Sequence, residues 1–484
     1  MKGNTLKEKL TPVWWIAQRE LIDQFRDWRI LFPLAVLTFL FPPLMNLVAG
    51  SAVEFAAKYG GELILDRLVP FSILIIGFFP VTAALVVALE AFVGEKERGT
   101  IEALLGAPFL DWQLYLGKFF VGVVFPLLAS YTSIAIYILM VKKQDLSLPS
   151  PNLMAQLLIL AAVHALLMVA GAIAISTQST SVRAANLLAS FIILPVAFLL
   201  QAESFFVFWG NDYLLWLVAF AVLIIAILLI RVGLAHFQRE YLLGREIDSI
   251  NLKWLGRTFR DSFIGEAKTP FEWYKVQVGA SLQKIKTPLL LLSISAVFIS
   301  IASYQVTSAL LPAEIVEKIE LSDGGKEQFL DKLQSAIGLP SDETEISFGF
   351  IFFHNIRAVL VMFLLGLLSL GILGELAFVV NIGIIGSVFA VLDGVGMSAS
   401  TLFIAGVLPH GIFEIPAIIF ASAAILYFGA IMVTPNPERT MGVVFVHAIS
   451  DWLKISVGII LPLLLVAALI ETYITPQILA YFVQ

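Results

Sequence analysis

The chain has 484 residues, of which 59% are hydrophobic and only 14% charged, with a formal net charge of −6 and no cysteine. Soluble domains average roughly 45–50% apolar and about 25% charged residues, so a single soluble core, a disordered chain and a nucleic-acid-binding protein are excluded. Disulfides, thiolate metal sites, iron–sulfur clusters and cysteine nucleophiles are excluded as well. The 38 Phe residues suit lipid-facing helices and interfacial belts.

The first element in chain order is amphipathic. Between residues 12 and 29, Trp14, Ala17, Leu21, Phe25 and Trp28 recur at helical spacing, and Arg19, Glu20, Asp23, Arg26 and Asp27 take the other side. With Pro12 suited to a first turn, this predicts a helix lying in the membrane interface with its Trp rings at headgroup depth. Apolar runs of about 18 residues or more then mark membrane spans. They lie near 30–50, 69–93, 119–141, 153–177, 184–203 and 213–235, and again near 288–311, 351–374, 376–394, 401–433 and 446–472. The expected fold is therefore all-α and polytopic, with about eleven spans, six before residue 237 and five after. The run 401–433 is too long for a simple span, and Pro409-His410-Gly411 is expected to break it into a half-helix and a full one.

Orientation follows from loop charge. Residues 237–287 carry nine Lys and Arg against six acids, whereas 312–350 carry nine Asp and Glu against Lys318, Lys326 and Lys332. This places 237–287 in the cytoplasm and 312–350 outside, with the N-terminus inside and the C-terminus outside; Lys142 and Lys143 on the outer side fit this less well. No cleavable signal peptide is legible. The expected organisation is a six-helix membrane domain at 1–236, a cytoplasmic or interfacial connector at 237–287 with short helices, and a five-helix membrane domain at 288–484. In the outer segment 312–350 two short amphipathic stretches predict a small helical cap.

The loop after the second span is the most informative. In 90–118, EAFVGEKERGTIEALLGAPFLDWQLYLGK, a charged cluster is followed by Gly99 and Thr100, with Thr100 placed to cap a short helix. Ile101, Leu104 and Leu105 form its apolar face, and Gly106-Ala107-Pro108 stops it. A short helix framed by charges at the membrane surface is a docking surface, where charge sets register and specificity. This run, with the elbow helix, the six spans and the Ser-rich turn STQSTSVR at 176–183, resembles ABC type-2 transporter permeases over roughly residues 12–236. The resemblance implies that Glu95, Glu97, Arg98, Thr100 and Glu102 contact a separately encoded ABC ATPase. It also implies pairing with a second permease, a copy of this chain or a related one. The chain itself has no P-loop: Gly94–Thr100 reads GEKERGT, with Thr where the phosphate-binding Lys is required. No catalytic residue and no cofactor is assigned, and ATP hydrolysis is expected in the partner.

The second half is dense in ionisable groups, which inside a membrane face protein or water. His354 and Arg357 are three apart, His410 and Glu414 four apart, and His447, Asp451 and Lys454 share a helical face. Together His354, Arg357, His410, Glu414, His447 and Asp451 form a candidate intramembrane polar site. Glu375 is placed at a tight turn and Asp393 near a span end, while His164, a lone histidine in an otherwise apolar span of the first half, reads as a packed, hydrogen-bonded residue rather than a site. His410, Glu414, His447 and Asp451 are residue types that hold zinc or iron, but mutual pairing within the bundle is the preferred reading and no metal is assigned. FFHNIR at 352–357, the outer loop and PHGIFEIPA at 409–417 resemble the stage II sporulation protein M family over roughly 270–484. The combined expectation is the permease subunit of an exporter in the cytoplasmic membrane, with a fused accessory domain and, on the outer side, contacts to envelope proteins. The alternative is a scaffold for peptidoglycan remodelling without net transport.

Overall fold

The computed structural model describes residues 6–59, 62–144, 146–178, 182–237, 252–310, 347–394, 399–434 and 441–483. All regular elements among them are helices. Ten are long and apolar enough to cross a membrane. The expected span at 184–203 is also a helix, Val182–Trp209, whose shorter apolar stretch runs from Pro195 to Trp209. The protein is thus an all-α polytopic membrane protein. It separates into two compact units, one ending before residue 251 and one beginning there. Most of the acidic segment 312–350 lies outside the described residues.

In the first unit α1 spans Leu6–Arg26, so Pro12 sits inside the helix rather than in its first turn. Asp27 ends α1 and caps α2 (Trp28–Phe39), its carboxylate accepting from the Arg29 N–H at 2.9 Å. The expected single stripe from Trp14 to Trp28 is therefore divided between two helices. The face that packs is centred on Ile16 and Ala17, while Trp14 and Trp15 are 61% and 59% exposed and are left for the membrane interface.

The remaining helices of this unit are α3 (Phe41–Tyr59), α4 (Glu62–Glu97), α5 (Ile101–Gly106), α6 (Asp111–Lys143), α7 (Pro151–Gln178), α8 (Val182–Trp209) and α9 (Tyr213–His236). The long α4 is the hub and packs on α6, α7 and α8. Lipid gives no hydrophobic drive for helix association, so small residues and polar contacts do this work. Gly77 and Gly122 let neighbouring helices approach closely, and the Ser130 hydroxyl donates to the Gly77 carbonyl at 2.6 Å. At one end of the unit Arg67 meets both carboxylate oxygens of Asp212 at 2.9 and 3.0 Å, and Gln156 donates to the Asp212 carbonyl.

The second unit begins with α10 (Leu252–Ile264), which packs on α17 (Met441–Ile455). Thr269 caps α11 (Pro270–Trp273), accepting from the Glu272 N–H. The helix continues through a π-helical segment, Tyr274–Val278, into α12 (Gly279–Leu310). The span expected from 288 thus starts near 270. Next come α13 (Phe348–Leu368) and α14 (Ile372–Gly394), joined by a tight turn in which Leu370 and Gly371 have φ of 54° and 98°. Then α15 (Ala399–Leu402) runs through the π segment Phe403–Val407 into α16 (Leu408–Val433). Likewise α17 runs through Ser456–Ile460 into α18 (Leu461–Tyr473), followed by α19 (Thr475–Val483). Phe363 and Trp452 stack at 3.6 Å in the core, against Ala417, Ala421 and Ala424 of α16.

The expected break at Pro409-His410-Gly411 does not occur. A proline clashes with the carbonyl four residues earlier and offers it no N–H. For Pro409 that residue is Ala405, in the middle of Phe403–Val407; for Pro462 it is Gly458, in the middle of Ser456–Ile460. The wider π turn absorbs the clash, and each helix passes its proline unbroken.

Candidate functional site

The charged loop is built on the end of α4. Gly99, with φ of 70°, terminates the helix: its N–H bonds the Lys96 carbonyl at 3.1 Å and the Thr100 N–H bonds the Glu95 carbonyl at 3.0 Å. This is a Schellman closure, which needs a left-handed residue and so favours glycine. The Thr100 hydroxyl does not turn forward to cap α5; it donates back to Glu95. The loop is fastened from behind by α7. Ser176 Oγ accepts from the N–H groups of Phe92 and Val93, both at 3.1 Å, and donates to the Leu89 carbonyl at 2.6 Å. Lys96 Nζ donates to the Thr177 carbonyl at 3.0 Å.

A buried charge centre underlies the loop. The Lys118 ammonium on α6, almost fully buried, pairs with Glu20 of α1 and lies 3.6 Å from Glu95. Arg19 of α1 reaches the same Glu95 carboxylate at 3.8 Å, and the Phe92 ring lies 5.3 Å from the Lys118 nitrogen. Arg98 meets Glu90 at 4.0 Å. Of the five loop residues singled out in the sequence, Glu95 faces inward into this centre. Glu97, Arg98, Thr100 and Glu102 are exposed. Glu20, Lys118 and Ser176 were missed as site residues; the signal for Lys118 was a lone charge where an apolar run begins.

The six polar residues of the second half do not share one set of contacts. On α16, His410 Nε2 and a Glu414 carboxylate oxygen are 4.0 Å apart. The ring's Nδ1 lies 3.3 Å from the Thr475 hydroxyl of α19. Glu471 of α18 joins them, with ligating atoms of all three residues within 4.8 Å of one another. Elsewhere, Asp451 accepts from Ser281 at 2.8 Å, Lys284 at 2.6 Å and Lys454 at 3.2 Å. His447 is half-buried one turn before Asp451 on α17, the His354 ring lies 5.9 Å from Phe350, and Arg357 is exposed. Glu375 follows the Leu370–Gly371 turn and accepts from Ser422 of α16 at 2.7 Å. Asp393 accepts from the Tyr304 hydroxyl at 2.8 Å.

His164 is packed and hydrogen-bonded, as expected, and has an ionisable neighbour from another span. Its Nδ1 bonds the Leu160 carbonyl at 2.8 Å, and its Nε2 lies 3.4 Å from a carboxylate oxygen of Glu203 on α8, both side chains being buried. Glu203 follows an apolar run of α8 and was overlooked because its partner is on another span.

A family model described as ABC-2 type transporter matches residues 11–202, and one described as Stage II sporulation protein M matches residues 289–476. No curated protein matches the chain at a significant level. The first match covers the elbow helix, the fastened loop and α2 to most of α8; the second covers α12 to the start of α19. The chain is thus an ABC-2 type transporter domain and a stage II sporulation protein M domain joined in one polytopic membrane protein.

Proposed function

We propose that this chain is the permease subunit of an ABC-type exporter in the cytoplasmic membrane, driven by a separately encoded ATPase that docks on the α4–α5–α6 loop. The N-terminus and this loop face the cytoplasm, and the C-terminus faces outside. A second permease, a copy of this chain or a homologue, completes the transport path. The sporulation protein M domain is an accessory module whose outer side meets envelope proteins.

The observation that carries this reading is the mechanical construction of the loop. Glu97, Arg98, Thr100 and Glu102 are exposed on a segment clamped by Ser176, Thr177, Lys118 and Glu20. A surface that receives a push must be tied to the spans it moves, and these contacts connect it to α1, α6 and α7. Exposed charges give such a surface its choice of partner.

The test is co-purification of the tagged chain from native membranes in mild detergent, with mass spectrometry and an ATPase assay. An ABC ATPase that copurifies with the wild type and falls at least tenfold in the Glu97→Lys/Arg98→Glu double variant is the expected result. Undiminished association and turnover in that variant overturn the docking assignment.

A further inference from the structure

We propose that the second unit binds a divalent transition-metal ion between His410, Glu414 and Glu471, with Thr475 orienting the histidine. The spacing of four places His410 and Glu414 one above the other on α16, and α18 brings Glu471 to the same point. Their ligating atoms lie within 4.8 Å of one another. Nitrogen and oxygen ligands of a tetrahedral ion at about 2.1 Å stand roughly 3.4 Å apart, so small side-chain rotations close the set. All three side chains are half-buried, which leaves the ion a path in and a fourth position for water.

Charge is the first reason to expect an ion. Two carboxylates this close in an apolar bundle repel strongly, and a bound cation relieves that repulsion while both stay ionised. Among the described residues no lysine or arginine pairs with Glu414 or Glu471. The same unit shows the other solution at Asp451, where Lys284 and Lys454 supply the positive charge. The second reason is the histidine's orientation. With Nδ1 against the Thr475 hydroxyl at 3.3 Å, Nε2 is the nitrogen that faces Glu414. A partner on the far ring nitrogen is the usual support of a metal-bound histidine. The third is backbone geometry. The π segments Phe403–Val407 and Ser456–Ile460 precede the two helices that supply the ligands, and α19, carrying Thr475, packs on the first of them. Such segments reset which face a helix presents and recur at functional sites. One imidazole and two carboxylates suit Zn²⁺, Mn²⁺ or Fe²⁺.

The full chain, purified in detergent and stripped with chelator, would be titrated with Zn²⁺ by calorimetry, with bound metal counted by elemental analysis after washing. The expected result is about one equivalent per chain, together with a Zn²⁺-dependent rise in melting temperature. Glu471→Gln and Glu414→Gln, close to isosteric, should each weaken binding at least tenfold, as should His410→Ala. His354→Ala, which removes a histidine that is not among the three clustered residues, should bind as the wild type does. Absence of stoichiometric metal in the wild type overturns the proposal, as does a folded Glu471→Gln chain that binds Zn²⁺ with unchanged affinity. A wild type without metal whose melting temperature rises on Glu471→Gln substitution would show two carboxyl groups sharing a proton instead, and overturns it equally.

Discussion

Lys118 sits next to Phe119 and Phe120 on a helix that crosses the membrane, yet its ammonium is held by Glu20 and Glu95 beneath the Phe92 ring. Removing one partner of a buried ion pair leaves the other charges uncompensated, which costs about 3–5 kcal/mol. Glu20 and Glu95 keep some solvent contact, so Lys118→Met is expected to lose about 3 kcal/mol, the lower end of that range. A lowered melting temperature in detergent checks this, and adding Glu20→Gln should restore part of the loss, since the two sites are coupled. Glu95 illustrates what sequence does not reveal at this scale. Its neighbours in the chain are charged and its spacing fits a docking loop. Its inward orientation is imposed by Lys118 and Arg19, which approach from other helices. Asp451 is similar: the i,i+3 relation to Lys454 is legible, but the Lys284 and Ser281 contacts come from 167 and 170 residues away.

The docking of α1 on α6 belongs to the element scale. Gly117 is the contact: a Cβ there would lie 2.7 Å from the Ile16 Cβ and 3.2 Å from the Val13 carbonyl oxygen. Gln113 adds a hydrogen bond to the Lys9 carbonyl at 2.9 Å, and Phe25 packs edge-on against Phe125 at 4.9 Å. Gly117→Leu should displace α1, with an overpacking cost of about 1–3 kcal/mol. Hydrogen exchange checks it: amides of α1 lose protection, while those of α4 and α7 keep theirs. The elbow helix was legible from its periodicity. Its bounds and packed face were not, because Asp27 satisfies the first turn of α2 and so ends α1 one residue earlier. The π segments were illegible for a related reason. Proline and glycine signal a break, and whether a helix breaks or widens depends on the neighbours that hold it in place.

Across the whole molecule, the absence of cysteine makes orientation directly measurable. Glu102 and Lys143 lie near opposite ends of α6, a helix of 33 residues and so about 50 Å long. With intact cells and a membrane-impermeant maleimide, Lys143→Cys should be labelled and Glu102→Cys should be labelled only after lysis. The reverse pattern would invert the topology. Hydropathy alone determined that this is an all-helical membrane protein with about eleven spans, because a bilayer requires long apolar helices whatever they pack against. The 90–118 pattern likewise located the charged loop between α4 and α6. Only the tertiary structure decided which ionisable groups meet. Glu471 joins His410, Glu203 joins His164, and Lys118 joins Glu20 and Glu95 across different helices. Helical periodicity relates residues within one span, whereas contacts between spans depend on helix rotation and register, which interhelical packing sets.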